Sequence, residues 1–143
     1  MLPKNQNGAA ALEFLIVLPF LLMLLFGGIE FGAIFYNKQV ITNASREGAR
    51  AGITREYTKA EIENIVNTYW LNEKKENFLL AFSPITLEVK VDPEDFITDP
   101  TNEYLRVGVT IEKYKLVFAS LIGIKESIKL SASTTMHMEP ELN

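Results

Sequence analysis

Glu13 is the only charged residue between Ala9 and Ile29, and the chemistry open to it there is ion pairing. A charged side chain at the centre of a membrane helix costs about 2.5–3.5 kcal/mol on insertion scales and less toward the ends, so a carboxylate kept in such a run needs a partner. Phe14 follows it, and Ala9, Ala10 and Ala11 before it are small enough for another backbone to approach closely. Other reactive groups are scattered. The sole histidine, His137, falls on the polar face of an alternating segment beside Thr135 and Glu139, with no cysteine in the chain and no nucleophile motif to pair with it. Gly27 and Gly28 lie inside the apolar run and lack the strand-turn-helix setting of a phosphate loop. The acidic stretch from Asp92 through Asp95 and Asp99 to Glu103 offers oxygens to a hard cation, yet its spacing is not that of a glycine-centred calcium loop, and Pro93 and Pro100 suit a solvated turn. The sequence therefore reads as a chain that is not an enzyme and carries no metal or cofactor.

The element that positions Glu13 is a long helix. Sixteen uncharged residues separate Glu13 from Glu30, and Phe31 to Asn37 are again uncharged, so an apolar helix of about 20 residues can cross a bilayer. Pro19 cannot donate to the carbonyl of Leu15, which predicts a kink or a loosened turn. Glu30 stands about 25 Å beyond Glu13 at 1.5 Å per residue, where it reads as a boundary residue in water. Phe31, Phe35, Val40, Ala44 and Ala51 continue the helix to about Ala51, with Gly48 and Gly52 weakening its end. Arg46 and Arg50 form a basic i, i+4 pair that suits either a docking surface or a solvated last turn. A secretory signal peptide fits poorly, because the n-region has one lysine, the run carries a carboxylate and no A-x-A site follows.

The remaining residues predict a small α+β domain. Thr58 and Glu61 have the spacing of a capping box, and Ile62, Ile65, Val66, Tyr69 and Trp70 place a stripe on the helix that follows. Glu73 to Glu76 interrupt it, and Ser83-Pro84 ends whatever helix Phe78 to Phe82 continue. Three segments then alternate with period two: Ile85 to Val91, Leu105 to Ile111, and Ile128 to Met136. Their simplest assembly is a three-stranded antiparallel sheet with the helix from Thr58 packed on it. The connection from Lys115 to Lys125 is apolar enough to pack on the sheet or the membrane. A net charge of −4 with no basic stripe argues against nucleic acid as a partner, and the missing cysteines leave disulfides out.

Met1-Leu-Pro-Lys-Asn-Gln-Asn-Gly8 followed by Ala9-Ala-Ala-Leu-Glu13-Phe14 resembles the type IV prepilin signal. Ile29 to Tyr36 and Asn43 to Ala51 are similar to the TadE-like pseudopilins of tight-adherence (Tad) pilus systems, and Leu130 to Met136 resembles the family's closing strand. The resemblance implies a leader over residues 1–8 removed by a prepilin peptidase between Gly8 and Ala9, a membrane and extended helix over 9–52, and an extracytoplasmic domain over 53–143. It implies assembly through Glu13 and Phe14 with other pilin-like subunits and the Tad machinery, membrane lipid around the helix, and a single pass through the bacterial cytoplasmic membrane with the N-terminus inside. The chain would serve adhesion or secretion from that membrane or from a pilus. Lys4 faces Lys38, Arg46 and Arg50 across the span, so the lysine and arginine count opposes that orientation. The competing expectation is an uncleaved single-pass protein whose outer domain binds an envelope partner or a ligand.

Overall fold

The computed structural model describes residues 6–76, 87–94, 96, 101, 103–116, 118, 123 and 127–139. Helix α1 runs over Gln6–Gly52, α2 over Lys59–Glu76, and the strands are β1 (Leu87–Asp92), β2 (Tyr104–Lys115) and β3 (Ser127–His137). The strands form one antiparallel sheet in the order β1-β2-β3, and both helices lie on its inner face. This is the α+β architecture the period-two segments predict. Residues 1–5, 77–86, 97–100 and 119–122 lie outside the described residues, including Lys4, Phe78 to Phe82, Ser83-Pro84, Ile85, Asp99 and Pro100. Asp95 is also outside them.

α1 is unbroken over 47 residues and passes through Pro19 without leaving the helix. Its two halves differ in what they meet. From Asn37 onward, Val40, Ile41, Ala44, Ser45, Gly48, Ala49 and Gly52 are buried at the i, i+3, i+4 spacing of one helix face. The residues of the last two turns of that face are small, which lets β2 and α2 close on the helix backbone. A Cβ added at Gly48 would stand 2.6 Å from Val66 Cγ2 and 3.1 Å from Val107 Cγ1, and one at Gly52 would meet Leu105 and Ile62. These glycines, read from the sequence as weakening the helix end, are the points of closest approach in the core.

α2 starts as its sequence predicts. The Thr58 N–H donates to Glu61 Oε2 at 2.8 Å, and the Glu61 N–H reaches Thr58 Oγ1 at 3.4 Å, the reciprocal bonding of a capping box. The Thr58 N–H and the Thr58 hydroxyl, which also donates to Glu61 Oε2 at 2.8 Å, hold the Glu61 carboxyl below its ordinary value. Ile62, Val66 and Trp70 are buried, with Ile65 and Tyr69 at the margin. Lys59 pairs with Glu94 across the surface.

Leu105, Val107, Val109 and Ile111 of β2 fill the inner face with Val91 of β1 and Leu130 of β3. A register shift between Ile111 and Tyr114 breaks the alternation; it inserts one residue and turns Tyr114 inward too. The solvated turn expected after β1 holds one core residue, Phe96, which is fully buried while its carbonyl accepts from Arg55 Nη1 at 2.8 Å. Acid density masked that aromatic in the sequence.

Gly48→Ala should lower the denaturant midpoint of the detergent-solubilised chain, because overpacking of about 1–3 kcal/mol outweighs the helix-propensity gain of about 1 kcal/mol. Adding Val66→Ala makes room for the new methyl, so the double variant should be less destabilised than the sum of the two single changes.

Candidate assembly and processing site on the N-terminal helix

The first half of α1 has almost no contact with the rest of the chain. Its most apolar stretch is wholly unburied, and this helix is long and apolar enough to cross a membrane. Gly8 and Ala9 are exposed, and an added Cβ at Gly8 would meet nothing within 4 Å. Both lie inside the helix, since α1 begins at Gln6. Glycine in a helix interior costs about 1 kcal/mol relative to alanine, so the first turn opens easily around this bond. Glu13 and Phe14 are exposed as well. Ala9 and Glu13 are four residues apart and share a helix face, one above the other.

The structure thus places the four residues singled out from the sequence on one continuous exposed segment. Among the described residues no hydrogen bond or ion pair reaches the Glu13 carboxylate. The Ala9 nitrogen is an amide while Gly8 precedes it, and becomes a cationic amine only if that bond is cut.

At its other end the apolar run meets the domain in a polar junction that the sequence reading missed. Asn37, fully buried, donates through Nδ2 to Ala33 O and to Tyr114 Oη, both at 2.8 Å. Its Oδ1 finds no donor among the described residues. Burial pushes the Tyr114 phenol above its ordinary value; the bond from Asn37 opposes this and the charge of Glu30 adds to it. Tyr36 Oη donates to Glu73 Oε2 at 3.5 Å, tying α1 to α2. Lys38 Nζ donates to the Ser131 carbonyl, and Ser45 Oγ and Thr134 Oγ1 stand 2.7 Å apart, tying α1 to β3.

Glu30 is corrected by this junction. Expected as a boundary residue in water, it is half-buried, and its Oε1 accepts the Phe118 N–H at 3.0 Å. The Phe118 ring stacks on Phe26 with centroids 4.8 Å apart and planes 13° from parallel. The apolar connection therefore turns back onto the membrane half of α1 at Phe118; residues 117, 119–122 and 124–126 lie outside the described residues. No pattern within either segment announces a contact between residues 88 positions apart.

His137 is exposed, edge-on to Tyr104 with centroids 5.1 Å apart. The outer sheet face carries a shallow polar groove between Glu88, Lys90, Thr110, Glu112 and Lys129, where Lys129 pairs with Glu112. Arg46 and Arg50 are exposed on the helix. Among the described residues no three His, Asp or Glu side chains converge as metal ligands.

The exposed segment and the helix that carries it are the part of the chain with recognisable relatives. Residues 8–50 match the TadE-like protein family. The TadE-like segment starts at Gly8, spans the whole exposed run and stops within the small-residue face that the sheet rests on, in agreement with the resemblance over residues 8–52. No curated protein and no solved structure matches the chain.

Tyr114→Phe should remove one late step from the phenolate titration. Burial should make Tyr114 ionise above the ordinary phenol range in the folded chain. Its raised value means that its contribution to stability is whole below the ordinary phenol range and lost as pH rises through the folded value. Absorbance titration of the folded chain and of the variant would show the lag and its loss.

Proposed function

We propose that this chain is a pilin-like structural subunit of a Tad-type type IV pilus or a related secretion machine. It is made as a precursor, cut between Gly8 and Ala9 by a prepilin peptidase, and assembled through its N-terminal helix with other pilin-like subunits. The observation that carries the proposal is the exposed Glu13, alone in an apolar helix within the TadE-like match and one turn from Ala9. Cutting after Gly8 frees the Ala9 amine. An amine beside a carboxylate lowers the cost of holding each charge near lipid, and a pair made between neighbouring helices sets their stagger. Ala9, Ala10 and Ala11 leave room for that approach, and Phe14 adds an apolar contact beside it.

The function is assembly, not catalysis, and it needs no cofactor. The chain sits in the bacterial cytoplasmic membrane with its N-terminus inside, where the peptidase acts, and its α+β domain outside, available for adhesion or secretion. The processing signal overrides the lysine and arginine count because cleavage requires the leader on the peptidase's side.

In cells that contain a prepilin peptidase, mass spectrometry of the membrane-extracted chain should find Ala9 at the N-terminus. A chain still beginning at Met1 would instead support the uncleaved single-pass protein. Glu13→Ala should leave cleavage largely intact and reduce assembly; unchanged piliation would remove the role given to the carboxylate.

A further inference from the structure

We infer that the outer lipid boundary on α1 lies at Tyr36 to Lys38 instead of at Glu30, and that Phe118 of the β2–β3 connection enters the same lipid layer beside Phe26. The inference rests on α1 crossing the membrane and goes beyond it, because it makes part of the outer domain a lipid-contacting surface.

Length decides first. With Glu13 at the inner interface, Phe14 to Ile29 spans about 24 Å, short of a hydrocarbon core of about 30 Å, whereas Phe14 to Phe35 spans about 33 Å. Exposure points the same way. Phe31 and Phe35 are 65% and 69% exposed, although both lie past Glu30 on the helix that builds the core. Their rings lie near each other, with centroids 6.4 Å apart, and the chain carries no charge from Phe31 until Lys38. Tyr36 and Lys38 then supply the aromatic and cationic anchors common at the edge of a bilayer.

Two objections to burying Glu30 in lipid answer each other. A carboxylate there needs a donor, and a backbone N–H at membrane depth needs an acceptor. The Glu30 to Phe118 hydrogen bond satisfies both. The ring stacked on Phe26 holds Phe118 at the depth of a residue four positions inside Glu30, so Phe118 cannot lie in bulk water while Phe26 lies in hydrocarbon.

The chain has no cysteine, which permits single-site spin labels in the full chain reconstituted in phosphatidylcholine vesicles. Labels at Leu22→Cys, Phe35→Cys and Phe118→Cys should be relaxed several-fold more by oxygen than by a water-soluble nickel chelate, with the reverse at Thr110→Cys on the outer sheet face. Nickel access at 35 and 118 with oxygen access at 22 would overturn the inference and leave the spanning helix standing; nickel access at 22 would overturn both. Oxygen access at only one of 35 and 118 also overturns it. Because a label at 118 removes the stack, Phe118→Trp provides the aromatic-preserving check. Brominated lipid should quench its added emission and spare that of the buried Trp70, and unquenched emission at 118 would overturn the lipid contact.

Discussion

Val66 and Val107 close on Gly48 so tightly that a single methyl has no room, and the rest of the molecule depends on that approach. The sheet has a polar outer face and an apolar inner one. Its inner face needs a second layer, and among its described side chains α2 supplies Ile62, Val66 and Trp70 as buried ones. The last turns of α1 supply the rest. Bulky side chains there would hold the sheet off; alanine, serine and glycine bring the backbone itself into the core and let van der Waals contact extend along it. The helix that is long and apolar enough to cross a membrane is therefore also a wall of the α+β domain.

That sharing explains what could and could not be read from the chain. Strands and the second helix were legible because alternation at Leu105 to Ile111 and the box at Thr58 and Glu61 are local signals with local causes. The apolar run was legible by length and composition. Asn37 and Tyr114 were not, because their bond depends on a bulge that turns one residue inward after four regular positions, and neither flank of that bulge contains a glycine or proline. Gly48 and Gly52 stand at the end of α1, which stops at Gly52, and their second role as points of close approach has no local signal in helix propensity. Helix propensity, which costs each of them about 1 kcal/mol, is the wrong scale where the alternative is a collision with a stiff β-branched side chain. The stripe of small residues at 44, 45, 48, 49 and 52 was the available signal.

The exposed half of the same helix follows the opposite rule. It leaves large apolar side chains exposed and carries a run of small ones, Gly8 to Ala11, at the end where the carboxylate stands. The two small-residue patches do similar physical work at opposite ends, one toward the chain's own sheet and one toward whatever backbone meets the N-terminus. Between them the apolar run presents bulk and the patches present fit, which separates general apolarity from specificity of contact.

An unbroken helix fixed to a sheet at one end transmits rotation as well as distance. Each residue turns a helix by a nearly constant angle, so the direction in which Glu13 points is tied to the direction in which the outer sheet face looks, through a shaft that stays helical over its described length, Pro19 included. Neighbouring copies that engage through their N-termini would inherit a set azimuth for their domains. The polar groove of Glu88, Lys90 and Lys129 would then repeat at a bearing determined by contacts made at the distant N-terminal end of the helix.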